Sequence, residues 1–365
     1  FYASLAYATN PTITGTTVNS ANSQLIVTFS EDVFNATGGS GNLEATDFIL
    51  SISGGTATIG AATPTSISRT SDSIWVLGFS TSGTANGSET IQVVPASSTS
   101  IYDRSDNAAS TTQSNNTVSL IEKVLPTIAT TTVNSANSQL TVTFSENVYR
   151  SASGSGNLQR SDFALSISGG AATIGSVTPT SITKTSQTVW VLGFSTSGTA
   201  NGSETIQVVP ASSTSIYDAS GNAASTTQSN NTAALNDKAA PTLSVVSIAS
   251  DNSTLTTWAT TGDVITLSIT ASENIQAPTV TFQSGGNNIS VADTVAGSGT
   301  TWTAQYTANS SDTEGAVSFA ISFSDTAGNA GTNVTAVTNS SSVLFDKTAP
   351  TLTSVSISAN NSNNT

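Results

Sequence analysis

One block of this sequence is written twice and then a third time in altered form. Pro11-Thr12-Ile13 opens a block that restarts at Pro126-Thr127-Ile128, and Trp75 to Asp103 recurs unchanged as Trp190 to Asp218. A third block opens at Pro241-Thr242-Leu243, and a fourth start stands at Pro350-Thr351-Leu352. Self-similarity at a fixed long period means that one structural unit is used repeatedly along the chain. The restarts set domains at 11–125, 126–240 and 241–349. Residues 1–10 are left as an upstream tail or an extra strand, and 350–365 as the start of a fourth repeat.

Each block reads as short strands. In Gln139 to Ser145, Leu140, Val142 and Phe144 alternate with threonines, and Phe163, Leu165 and Ile167 repeat the pattern. Ile265, Leu267 and Ile269 do the same in the third block, as do Val317, Phe319, Ile321 and Phe323. A period of two buries one face and wets the other, the signature of antiparallel sheets. Turn clusters such as Ser168-Gly169-Gly170 and Gly198-Thr199-Ala200-Asn201-Gly202 separate the runs. No segment carries a helical period. About seven strands in roughly 110 residues, with one or two Trp, is the pattern of an immunoglobulin-like sandwich. The fold class is therefore all-β, as tandem immunoglobulin-like sandwiches. Trp75, Trp190, Trp258 and Trp302 are expected to fill cores. The linkers Asp237-Lys238-Ala239-Ala240-Pro241 and Asp346-Lys347-Thr348-Ala349-Pro350 are short and carry Pro, which favours a rod over beads on a string.

Composition excludes several functions. The chain carries 22 Asp plus Glu against 8 Lys plus Arg, a net charge of −14. Nucleic-acid binding needs clustered cations, and none exist, so cations are the natural small partners. Cys, His and Met are absent. Disulfides, thiol nucleophiles and Ser-His-Asp triads are therefore impossible, and zinc lacks its usual ligands. A chain without oxidisable Cys or Met suits an extracellular setting. No apolar stretch is long enough to span a bilayer. Phe1 to Ala8 is too short for a signal peptide and lacks a basic start.

The run Pro-Thr, then a strand ending Phe-Ser-Glu-Asn/Asp-Val, then Asp-x-x-Gly-Asn, resembles bacterial immunoglobulin-like tandem repeats of large cell-surface proteins. These are the adhesin and S-layer types. Ala271-Ser272-Glu273-Asn274 and Asp325-Thr326-Ala327-Gly328-Asn329 are most similar to the adhesin version. The resemblance covers nearly the whole chain. It implies a cell-surface stalk that binds Ca²⁺ between domains, with attachment to surface or glycan targets lying in other domains.

Three acidic elements recur in register. Glu31-Asp32, Glu146-Asn147 and Glu273-Asn274 follow the second strand. Asp103 to Asn107, Asp218 to Asn222 and Asp325 to Asn329 precede the last strand. Glu122, Asp237 and Asp346 stand in the linkers. With strands lettered A to G, the first two elements fall in the B–C and F–G loops, which share one end of the sandwich. The linker acid enters at that end. Glu122 should therefore meet Glu146, Asp218 and Asn222, and Asp237 should meet Glu273, Asp325 and Asn329. Carboxylates converging this way repel one another unless a cation joins them, and calcium takes six to eight such oxygens. The expected cofactor is Ca²⁺. Glu31, Asp103 and Asp106 form a deficient set, because Asp106 replaces Gly and no acid stands at 7–10; Asp346 would serve the fourth repeat. The plainer reading is that Asp-x-x-Gly-Asn is turn chemistry and each Glu a solvated loop residue.

Repetition argues against catalysis, since paired carboxylates here sit in loops that every block shares. Lys123, Lys238 and Lys347 lie in linkers and Lys184 aligns with Arg69 in a turn-like stretch, so none suits a buried isopeptide bond. Sequons at Asn86, Asn201 and Asn309 are expected by chance in so Asn- and Ser-rich a chain. Neighbouring domains or further copies of the chain are the expected partners. The expected function is a non-catalytic stalk, with a self-assembling surface layer or filament as the alternative. A glycan-binding accessory region, the third reading, needs an exposed aromatic platform.

Overall fold

A computed structural model of the chain describes residues 9–358, so the expectation of an extra strand at Phe1 to Ala8 lies outside the described residues. Strands dominate, and the only helices among these residues are single 3-10 turns at Ala45–Asp47 and Arg160–Asp162. Buried apolar side chains fall into three separate clusters, drawn from 13–120, 128–235 and 246–345. Each cluster with its strands is called a module below.

Module 1 contains β1 (Ile13–Val18), β2 (Gln24–Phe29), β3 (Phe48–Ser53), β4 (Thr58–Ile59), β5 (Ser66–Ser71), β6 (Ile74–Gly78), β7 (Thr81–Ser82), β8 (Thr90–Pro95) and β9 (Thr117–Ser119). One sheet runs β1-β2-β6-β5 and the other β3-β8-β9. Lettered in chain order without the small β4–β7 pair, these are the A-B-E-D and C-F-G sheets of an immunoglobulin sandwich. Module 2 repeats the order through β10 (Ile128–Val133), β11 (Gln139–Phe144), β12 (Phe163–Ser168), β13 (Thr173–Ile174), β14 (Ser181–Lys184), β15 (Val189–Gly193), β16 (Thr196–Ser197), β17 (Thr205–Pro210) and β18 (Thr232–Ala234). Near-identical sequence gives the same pairing: Ile13 faces Phe29 as Ile128 faces Phe144, with the same bulge after each.

Module 3 keeps the plan with longer strands: β19 (Leu243–Ser250), β20 (Trp258–Ala259), β21 (Val264–Ala271), β22 (Thr279–Ser284), β23 (Asn287–Val291), β24 (Thr294–Ser298), β25 (Thr301–Thr307), β26 (Gly315–Ser322) and β27 (Leu344–Phe345). Its sheets run β19-β21-β25-β24 and β20-β27-β26-β22-β23. The chain is thus all-β, in tandem immunoglobulin-like sandwiches. Within the described residues 350–358 no strand forms, and Leu352, Val355 and Ile357 are exposed.

Alternation sets the cores. Leu140, Val142 and Phe144 are buried, as are Phe163 and Leu165 across the sandwich, where the rings of Phe144 and Phe163 lie 6.3 Å apart. Trp75, Trp190 and Trp302 start equivalent strands, and each indole N–H donates to the carbonyl three residues back. Trp75 and Trp190 are buried and Trp302 packs half-buried against its core. Trp258 departs from the expectation that all four tryptophans fill cores: it is 40% exposed. Its strand has two residues, and because successive side chains point to opposite faces, Ala259 takes the buried position and Trp258 the outer one. Arg69 and Lys184 also differ from expectation, lying within strands β5 and β14 rather than in a turn. Lys184 remains exposed there.

Candidate metal centre

Two short pairings bring the acidic loops of each module together. The Tyr149 N–H donates to the Tyr217 carbonyl at 2.7 Å and the Tyr217 N–H returns to Tyr149 at 2.8 Å. This draws the B–C segment carrying Glu146 against the F–G segment carrying Asp218. In module 3, Ile275 faces Asp325 in an antiparallel bridge, and the Gln276 N–H donates to the Ser324 carbonyl at 2.9 Å. The entering linker is fixed by the residue before each B–C acid. Ser145 N–H donates to the Thr127 carbonyl at 2.8 Å, and the Thr127 N–H donates to the Ser145 hydroxyl at 3.0 Å. Ser272 and Thr242 repeat both bonds at 2.8 and 2.9 Å.

Three carboxylates meet as a result. One oxygen from each of Glu122, Glu146 and Asp218 lies within 4.8 Å of the other two, and the same holds for Asp237, Glu273 and Asp325. In both sets the F–G Asp is buried and the other two acids are half-buried. The Asp also closes its own turn. Asp218 Oδ1 accepts from the N–H groups of Ser220 and Asn222, each at 2.8 Å, and Asp325 Oδ1 accepts from Asn329 N–H at 2.8 Å. Turn chemistry and convergence therefore coexist at the same residues.

Asn222 and Asn329 join these clusters as donors. Asn222 Nδ2 donates to Asp218 Oδ2 at 2.7 Å and to Glu122 Oε2 at 2.5 Å, and Asn329 Nδ2 donates to Asp325 Oδ2 at 2.7 Å. Asn222 and Asn329 thus meet the acids as expected, but with the amide nitrogen facing the carboxylates and holding them rather than with the carbonyl oxygen turned in as a ligand. The linker acid divides its oxygens. Asp237 Oδ1 accepts from Ala239 N–H at 2.8 Å, and Glu122 Oε1 accepts from Val124 N–H, a turn that leaves the other oxygen for the cluster.

Crowding shows in the acidities. Burial, then the charges of Asp218 and Glu122, push the Glu146 carboxyl up to about 7. Burial and the neighbouring Asp218 raise Glu122 as well, and Glu273 is raised by burial, Asp237 and Asp325. Asp325 goes the other way: burial opposes its charge, but hydrogen bonds from Asn329, Gly328 and Ala327 outweigh it.

The remaining acids sort differently. Asp103 closes its turn as its counterparts do, with N–H bonds from Ser105 at 2.7 Å and Asn107 at 2.8 Å. Burial and the charges of Asp103 and Asp32 raise Glu31. Asp106 turns away to accept from Gly38 N–H, and its backbone takes the left-handed conformation that Gly221 and Gly328 take in the later modules. Among the described residues Glu31 and Asp103 belong to no group of three acids close enough to share an ion. Asp346 Oδ1 accepts from Thr348 N–H at 2.9 Å and belongs to no cluster among them.

No protein-family model matches the chain, and no curated protein matches its sequence. Solved structures that resemble it include tandem arrays. The I67–I69 fragment of titin is 9% identical, covers 94% of this chain and 100% of its own, and has a TM-score of 0.31. The I9–I11 tandem of titin is 11% identical, covering 92% and 94%, at a TM-score of 0.27. The Ig1–Ig3 ectodomain of mouse nectin-like molecule 4 is 9% identical, covering 88% and 96%, at 0.25. No helix among the described residues is long and apolar enough to cross a membrane.

Proposed function

We propose that this chain is a non-catalytic spacer region of an extracellular bacterial surface protein of the adhesin kind, its successive modules locked in line by Ca²⁺ at their junctions. The observation that carries the reading is the double attachment of the first linker acid. Lys123 N–H, next to Glu122, donates to the Ala85 carbonyl of module 1 at 2.8 Å, while the Glu122 side chain is held by Asn222 of module 2. An ion at that point ties two modules rather than decorating one.

The donor set fits calcium. Ca–O distances of about 2.3–2.6 Å allow ligand oxygens up to roughly 5 Å apart, and the clustered oxygens fall inside that span. Three carboxylates supply at least one oxygen each, hard and anionic, with no soft ligand near. The charge of the ion would remove the repulsion that raises Glu146 and Glu273.

Calorimetric titration of the chelated full chain, with small-angle scattering in Ca²⁺ and in EGTA, tests the proposal. Two ions per chain, a rise in melting temperature and a narrower distribution of lengths in Ca²⁺ are expected. No heat and no stabilisation at millimolar Ca²⁺ would refute it.

A further inference from the structure

We propose that one buried acid per module, Glu89, Glu204 and Asp312, is the positioning residue of the junction. It folds the E–F loop into a socket that grips the outgoing linker and so aims the next linker residue at the following module. This assignment rests on the spacer reading but not on the metal.

The E–F loop lies at the end of the sandwich opposite the B–C and F–G loops, where the chain leaves for the next module. Glu204 there has 0% exposure, yet it stands in a loop just before strand β17. All of its hydrogen bonds go to backbone. Oε1 accepts from Ala171 N–H at 2.7 Å and Ala172 N–H at 2.9 Å, and Oε2 from Asn201 N–H at 3.0 Å. Glu89 makes the same bonds to Thr56, Ala57 and Asn86. These contacts outweigh the cost of burial and hold Glu89 at about 2, with Glu204 also below the usual range. The surroundings are built to fit: a Cβ added to Gly170 would lie 2.2 Å from Glu204 Cδ.

What the acid shapes is a receptor for the linker. Ala200, just before Asn201, accepts from Lys238 N–H at 2.8 Å, and the Glu204 carbonyl accepts from Leu235 N–H at 2.9 Å. Gly202 has a φ of +79°, and a Cβ there would come within 3.3 Å of Asp237 Cβ. The loop backbone therefore lies directly against the linker acid. Ala85, Glu89 and Gly87 hold Lys123, Leu120 and Glu122 by the same contacts. Module 3 reaches this end by different chemistry. Asp312 Oδ2 accepts from Asn309 N–H at 2.7 Å and the Tyr306 hydroxyl at 2.6 Å, and Lys347 Nζ donates to the carbonyls of Ser310 and Asp312. The three sequons are this same loop: Asn86, Asn201 and Asn309 each accept, through Oδ1, the N–H of the serine two residues on.

Glu204→Gln gives a selective test. Its Oε1 still accepts from Ala171 and Ala172, but its NH2 opposes the Asn201 N–H and leaves it only the longer 3.3 Å contact to Oε1, so the socket alone is loosened. In the full chain, which has no native Cys, spin labels at Val177→Cys and Ser298→Cys report the distance between modules 2 and 3. Amide exchange reports the socket itself. The variant should speed exchange at the Lys238 N–H at least tenfold while strand β15 amides stay protected, and should broaden the inter-label distribution in EGTA as well as in Ca²⁺. Unchanged Lys238 exchange with an unchanged distribution would overturn the proposal, and so would faster exchange throughout module 2, which marks a merely structural acid. If instead the Ca²⁺ reading alone fails, the unsubstituted chain gives the same distribution in Ca²⁺ and EGTA, and the effect of the variant persists.

Discussion

Glu122 and Asn222 stand 100 residues apart, and the amide of one donates to the carboxylate of the other at 2.5 Å. The first belongs to the segment leaving module 1 and the second to the F–G turn of module 2. This single bond makes the first junction a contact between modules rather than a free tether, and it places Glu122 beside Glu146 and Asp218. The behaviour of those acids is where the junction can be interrogated.

Glu146→Gln should halve the calcium stoichiometry, from two ions per chain to one. Among the described residues the Glu146 carboxylate takes no hydrogen bond, so the amide removes charge without orphaning a partner. The same variant should melt at a higher temperature than the parent in EGTA at pH 8, because it removes one of three converging charges. Titration calorimetry and thermal melts read both effects. A stoichiometry of two in the variant would remove Glu146 from the site.

The pH dependence without metal has a definite sign. Glu146 holds its proton up to about 7 in the folded chain, against 4.5 ordinarily. A raised carboxyl stabilises fully below the unfolded value and loses that contribution as pH rises through the folded one. In EGTA the melting temperature of module 2 should therefore fall between pH 5 and pH 8, by about 4–8 °C for each kcal/mol lost. Millimolar Ca²⁺ should abolish that fall, since an ion binds the deprotonated cluster. Below pH 4.5 module 1 should lose stability in its turn as Glu89, held at about 2, is protonated.

The two kinds of tryptophan should separate cleanly. Trp190→Ala removes a side chain that is 1% exposed and should cost about 3–5 kcal/mol. Trp258→Ala removes one that is 40% exposed and should cost under about 1 kcal/mol. Urea unfolding of the full chain by circular dichroism distinguishes them, the first variant losing one module early.

Much of this was legible in the sequence because repetition multiplies weak signals. The alternation around Leu140 and Phe144 gave the strands, and the register of Glu146, Asp218 and Glu122 gave the convergence, since the strand order alone decides which loops share an end. Trp258 was not legible, because a two-residue strand carries no period to say which side faces in. The direction of the Asn222 amide was hidden for a different reason: a carbonyl and an NH2 sit on the same side chain, and only the surrounding acceptors orient it. Glu89 and Glu204 are harder to see, because a lone acid just before a strand reads as solvated. Their signal was the Asn-Gly-Ser-Glu string itself, conserved between blocks and echoed as Asn-Ser-Ser-Asp in the third.

Asn137 offers the sharpest separation of backbone from side-chain effects at the second junction. It is buried in the A–B turn with a φ of +52°, and it holds Asn236, the residue before the linker acid, from both sides. Its Nδ2 donates to the Asn236 carbonyl at 2.7 Å and its Oδ1 accepts the Asn236 N–H at 2.9 Å. Asn137→Gly keeps the left-handed backbone and loses both bonds, which should cost about 1–3 kcal/mol. Asn137→Ala loses the same bonds and adds roughly 1–2 kcal/mol of left-handed strain. Asn137→Asp keeps the acceptor alone, so its cost should fall below that of Ala. The order Ala worst, then Gly, then Asp, measured by urea unfolding at pH 7, would show that Asn137 clamps the linker through its side chain. Equal stability for Gly and the parent would show that only the turn conformation matters there.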